Sequence, residues 1–155
     1  MHALLHRWAL CIVFVCVCVA GCSDSSWIRE VRSAQESAEQ AAAQGNYRQA
    51  IQRLQPVADG ELSRPARVDD GRAIRQDAFY QLARWSMANE DAAGALVFAD
   101  AGLALGGGDV FRANLWVARG QAHEALGQAT QAAADYHEAL LINETLLDAV
   151  LGAEE

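Results

Sequence analysis

The chain contains no lysine: all twelve of its basic residues are arginine. It has only two prolines, and β-branched residues thin out after residue 31. Alanine supplies much of the 52% hydrophobic content, and the three features together favour helix over strand. An excess of positive charge is also missing. The formal net charge is −8, which argues against non-specific binding to nucleic acid. The unbroken apolar run Ala9–Ala20 has twelve residues, fewer than the about 20 that a membrane span needs. Three of the four cysteines, Cys11, Cys16 and Cys18, lie inside that run.

Motifs for catalysis are absent as well. There is no G-x-S-x-G elbow. Gly106-Gly107-Gly108 follows a helical pattern and lacks the Lys-Ser/Thr sequel of a phosphate loop. After residue 22 the only histidines are His123 and His137, on different helices of one hairpin and with no third ligand at metal spacing. Asp69-Asp70-Gly71 reads as turn chemistry. The expectation is a protein that is not an enzyme, with no metal, cofactor or small-molecule substrate. A length of 155 residues suits one domain.

The amino terminus has the parts of a secretory signal peptide: basic His6 and Arg7, a short apolar core, then small residues. Val19-Ala20-Gly21-Cys22 resembles a bacterial lipobox. That resemblance implies cleavage after residue 21, a diacylglycerol on the Cys22 thiol and an acyl chain on its new amino group. Two or more acyl chains hold a protein firmly to a membrane. Cys22 would then be the only cysteine left, with no disulfide. Ser23 after the cysteine implies the outer membrane, periplasmic side. Asp24 blurs that sorting rule, and the inner membrane and the cell surface are the alternatives. An ordinary signal peptide cut nearby, or an uncleaved anchor, is the other reading of the segment. Residues 22–26 form a short polar tether, and 27–155 the helical domain.

Charge is uneven along the chain. Cys22–Arg75 balances eight acidic residues with eight arginines, whereas Gln76–Glu155 sets twelve acidic residues against three arginines. The acidic half is either solvated helix surface or one pole of a molecule whose ends meet different partners.

Apolar periodicity predicts helices over Trp27–Gln44, over a segment carrying Tyr47 to Val57, over Arg72–Ala88, and over a segment carrying Ala92 to Leu105. Pro56 should kink or end the second, and Gly60–Asp70 reads as a loop. Asn46 with Gln49 has capping-box spacing, and Asp109 is a good N-cap for a fifth helix. Arg112–Asn143 reads as two helices joined at Gly127, with Gly120, Ala132 and Ala139 small where the helices approach. Thr145–Leu151 could form a last half-helix capping the apolar end.

This last hairpin resembles a tetratricopeptide repeat, with Trp116, Gly120, Ala132 and Tyr136 at the family's offsets and His123 in its aromatic slot. Arg119 and Glu144 depart from the pattern. Matching at an offset of 38 pairs Tyr136 with Phe98, Ala139 with Ala101, Ala132 with Gly94 and His123 with Trp85; an offset of 44 pairs Phe98 with Leu54 and Asn89 with Gly45. The fold implied is all-α: a short right-handed α-solenoid of three hairpins plus the capping half-helix. The resemblance further implies a concave face presenting Arg32, Gln35 and Glu39, then Gln76, Phe79, Ala83 and Met87, then Asn114, Val117, Gln121 and Glu124. Phe79, Met87 and Val117 would make an apolar strip there, unless the hairpins bury it among themselves. The family's clamp for C-terminal carboxylates uses lysine, which this chain lacks. The function expected is protein binding, as an adaptor or assembly factor of the bacterial envelope. The alternative is a structural subunit of an envelope complex with no client groove.

Overall fold

Alanine-rich amphipathic segments separated by short turns fold as six helices with no strand among the described residues. The computed structural model describes residues 26–60 and 68–152. The predicted signal peptide, Cys22 and the predicted tether up to residue 25 lie outside the described residues, as does 61–67 of the predicted loop. Helix α1 covers 26–43, α2 Tyr47–Asp59, α3 Val68–Ala88, α4 Ala92–Leu103, α5 Val110–Ala125 and α6 Ala129–Leu151. Among the described residues no helix is long and apolar enough to cross a membrane.

Three turns join the helices in pairs, and all three are built alike. Asn46 N–H donates to Ala41 O at 2.9 Å, Asp91 N–H to Ser86 O at 2.9 Å, and Gln128 N–H to His123 O at 2.8 Å. The residue before each donor takes a left-handed conformation: Gly45 at φ 76°, Glu90 at 62° and Gly127 at 73°. Such a residue closes a helix by turning its last free carbonyls onto following amides. Two of the three are glycine, as the conformation favours; Glu90 adopts it at a steric cost.

These turns fix which positions are equivalent. Their spacing is 45 residues from Gly45 to Glu90 and 37 from Glu90 to Gly127. The offsets of 44 and 38 predicted from side chains are each wrong by one residue. Tyr136 therefore corresponds to Ala99, not Phe98; Ala139 to Gly102, not Ala101; Ala132 to Ala95, not Gly94; and His123 to Ser86, not Trp85. The aromatic match misled because a left-handed glutamate gives no glycine signal in the sequence. The corrected equivalences have a physical meaning. Ala38, Ala83 and Gly120 stand seven residues before the turns, Ala50, Ala95 and Ala132 five after, and all six are buried. Small residues at these places let the paired helices approach closely.

Consecutive helices pack together from α2 to α6, and α3 also packs on α5. Trp27, Val31 and Ala38 of α1 share a core with Ala50, Leu54 and Val57 of α2 and with Ala78, Phe79, Leu82 and Trp85 of α3. Leu115 of α5 closes this cluster, and a second one joins Ala83, Ala95, Ala99, Ala118 and Ala122. Leu54, Leu82 and Leu115 are wholly buried, each contributing roughly 1.5–3 kcal/mol relative to an exposed side chain.

Several predicted boundaries move. Pro56 neither kinks α2 out of its helical run nor ends it at once; α2 continues to Asp59 and ends at Gly60. Pro56 has no N–H to give to Gln52 O, and the helix continues three residues beyond it without that bond. Arg75 Nε then donates to Ala58 O at 2.7 Å, satisfying a carbonyl at that end. Helix α3 starts at Val68, so Val68–Asp70 is helical rather than loop. Helix α4 ends at Leu103, before the glycines. Asp109 caps α5 as expected, accepting from Arg112 N–H at 3.2 Å. Asn46 makes no side-chain cap, so the predicted box with Gln49 is not formed. The capping half-helix does not exist as a separate element: α6 runs unbroken for 23 residues, because nothing between Leu141 and Leu151 interrupts a helix.

Candidate protein-binding face

Helices α1, α3 and α5 are the first members of the three pairs, and the three turns give their residues matched positions. Arg32, Asp77 and Asn114 share one position, Gln35, Tyr80 and Val117 the next, and Glu39, Arg84 and Gln121 the third. Each of these nine side chains is exposed or half-buried. Met87 and Glu124 follow as a fourth matched pair, half-buried and exposed.

Of the positions expected to line a groove on α1 and α3, Arg32, Gln35, Glu39 and Met87 are exposed or half-buried. So are the four on α5: Asn114, Val117, Gln121 and Glu124. Gln76 and Phe79 are corrections. Gln76 is 0% and Phe79 5% exposed, and neither is available to a partner. Ala83 is buried with them. The one-residue error in offset turned the middle row of the face into the core, since adjacent positions on a helix point about 100° apart. Gln76 instead donates to Gly106 O at 2.8 Å, tying α3 to the loop before α5. Phe79 packs with Leu82 and Leu115 in the core. The residues that take their places on the face are Asp77, Tyr80 and Arg84.

Charges on this face feel one another. The Asp77 carboxyl is pushed above its ordinary value of 3.8, first by burial and then by the nearby Glu39 carboxylate, with Arg84 opposing. Arg84 lies over the Tyr80 ring at 5.6 Å and donates to Gln81 Oε1 at 3.2 Å. Met87 edges a shallow hollow of about 430 Å³ shared with Glu90, Ala92, Ala125 and Leu126. Acidic, basic and amide groups therefore alternate around Tyr80, Met87 and Val117, an arrangement suited to holding an extended or helical peptide by mixed contacts.

One cluster was missed from sequence. Arg119 lies where the repeat pattern has leucine, and it makes two bonds to Asp135, Nε to Oδ2 at 3.0 Å and Nη2 to Oδ1 at 2.7 Å. A third, from Nη1, reaches Asp100 Oδ1 at 2.8 Å. The guanidinium also stands 4.2 Å from the centre of the Trp116 ring. Hydrogen bonding to Asp135, partly offset by burial, holds the Arg119 proton more tightly than usual. The pair joins α5 to α6, and Asp100 adds α4. The available signal was Arg119, a charge where the resemblance puts leucine. His123 meets Gln128 Oε1 through Nδ1 and lies 3.7 Å from Asp135 through Nε2. His137 is exposed, and among the described residues no three potential metal ligands gather.

Tyr136 lies against Gly120, as the small-residue seam predicts, and its hydroxyl donates to Glu124 Oε2 at 2.9 Å. Ala132 and Ala139 are buried in the same seam, with Trp116 half-buried beside it. Cys22 lies outside the described residues. No family model matches the chain, and neither does any characterised protein.

Proposed function

We propose that this chain is a lipid-anchored, tetratricopeptide-like helical module of the bacterial envelope, and that it binds a protein partner through the face formed by α1, α3 and α5. The observation that carries the reading is the triple turn: the same hydrogen-bond pattern recurs at Gly45, Glu90 and Gly127, so three hairpins offer matched positions on one side. A repeat array uses such matched positions as a continuous surface. The sequence Val19-Ala20-Gly21-Cys22 supports the anchor, with the periplasmic side of the outer membrane as its place. On this reading the module acts as an adaptor or assembly factor and carries out no chemistry of its own.

The test is co-purification from detergent-solubilised envelope, comparing the natural chain with Tyr80→Ala/Val117→Ala. Neither residue is fully buried, but Tyr80 also packs against both core clusters, so the comparison is made where circular dichroism and melting show the double variant folded; it should then lose its partner. Partner recovery that does not change with this variant would contradict the reading.

A further inference from the structure

The chain leaves little slack after Cys22. Ser26, where α1 begins, is four residues on, and four residues span at most about 14 Å. On the anchor proposed above, the start of α1 therefore stays within that distance of the membrane headgroups. What lies there is a hollow of about 560 Å³ between α1 and α2, lined by Ser26, Arg29, Glu30, Ser33 and Ser37 of α1 and by Arg53 of α2.

Two guanidinium groups and one carboxylate line this hollow. Arg29 is exposed and makes no hydrogen bond or ion pair among the described residues. Arg53 makes one, from Nη1 to Ser37 O at 2.7 Å, which holds its side chain across from α2 to α1. Two arginines suit a phosphodiester, whose oxygens accept charge-assisted bonds. Glu30 would oppose a purely anionic headgroup and suits one that also carries an ammonium; a carboxylate accepts several bonds at once, whatever else it meets. The hollow is also on a different side of α1 from the candidate protein-binding face. Ser33 is two residues from Gln35 and Ser37 two from Glu39, which is about 200° around the helix. A membrane against the hollow leaves that face open.

We propose that the hollow between α1 and α2 holds the headgroup of a zwitterionic phospholipid, its phosphate between Arg29 and Arg53 and its ammonium at Glu30. This contact rests on the anchor at Cys22, which brings the membrane near. The hollow then selects the headgroup and turns the α1/α3/α5 face away from the bilayer.

The full chain is produced in a bacterium with a photoreactive side chain in place of Ser33 or, as control, Gln121. It is reconstituted into vesicles of equal parts phosphatidylethanolamine and phosphatidylglycerol. Mass spectrometry reads the amino-terminal peptide first. A diacylglycerol on Cys22 is expected; an unmodified Cys22 would overturn the anchor and this contact with it. In the anchored chain, position 33 should form phospholipid adducts, mainly with phosphatidylethanolamine, and position 121 should form few. Arg29→Gln should lower the adducts at position 33 by about tenfold, the loss expected of a charge-assisted bond. Circular dichroism of this variant should match the natural chain, because Arg29 is exposed. No adduct at position 33 of the anchored chain, equal adducts at 33 and 121, a majority with phosphatidylglycerol, or no effect of Arg29→Gln would overturn the headgroup site while leaving the anchor standing.

Discussion

Gly120 lies directly beneath the ring of Tyr136: a β-carbon at residue 120 would stand 2.6 Å from Tyr136 Cε1 and 2.8 Å from Cδ1. Real β-carbons do not come so close to another carbon. The last hairpin therefore closes only because residue 120 has no side chain, and Tyr136 cannot retreat without giving up its bond to Glu124. Gly120→Leu should overpack this seam at a cost of roughly 1–3 kcal/mol. Melting of a soluble form starting at Ser23 should fall by several degrees. An unchanged melting temperature would mean that the two helices do not meet there.

The ion pair on the same hairpin gives a second test. Asp135 is buried, so removing Arg119 leaves its charge with only the His123 ring, 3.7 Å away, beside it. Arg119→Leu should cost about 3–5 kcal/mol, while Arg119→Leu with Asp135→Leu should recover much of that loss. The two single changes and the double, measured by denaturant unfolding, form a thermodynamic cycle. Additive losses would show that the pair is not coupled.

Asp77 makes stability depend on pH. Its carboxyl binds a proton more tightly in the folded chain than in the unfolded one, because burial and Glu39 disfavour the charge. The resulting stability is complete below about 3.8 and is lost as pH rises through the higher folded value. Asp77→Asn should match the natural chain at pH 3 and melt higher at pH 7. Parallel melting curves across that range would contradict the assignment.

Glu90 occupies a place where the other two turns have glycine. Glu90→Gly should relieve the left-handed strain and raise stability by about 0.5–1 kcal/mol, after allowing for the extra freedom of glycine in the unfolded chain. A loss of stability would mean that the Glu90 side chain, rather than its backbone, matters to the turn.

The helical class, the tight turns at Gly45, Glu90 and Gly127 and the Gly120–Tyr136 seam were legible in the sequence, because glycines, capping residues and apolar spacing reported them locally. The register between hairpins was not. It depended on Glu90, whose left-handed backbone leaves no compositional trace, and the aromatic Phe98 offered a false match to Tyr136. That single residue of error moved Gln76 and Phe79 onto the predicted face and hid Asp77, Tyr80 and Arg84. Phe79→Ala consequently reports on the core, at about 3–5 kcal/mol, and not on partner binding. The early start of α3 was hidden for a different reason. Asp69 and Asp70 look like turn residues, yet acidic residues are also favoured in the first turn of a helix by its dipole. Arg119 and Asp135 are 16 residues apart, and their pairing needed the hairpin geometry to be seen.

The central claim, that α1, α3 and α5 form the partner-binding face, is tested most directly by photocrosslinking in the intact envelope. A photoreactive side chain replaces Arg84 or Gln121 on the face, or Val97, which is exposed on α4 outside it. The account predicts that positions 84 and 121 both crosslink to one and the same protein and that position 97 does not. An adduct from position 97 alone, or no adduct from 84 and 121, would contradict it.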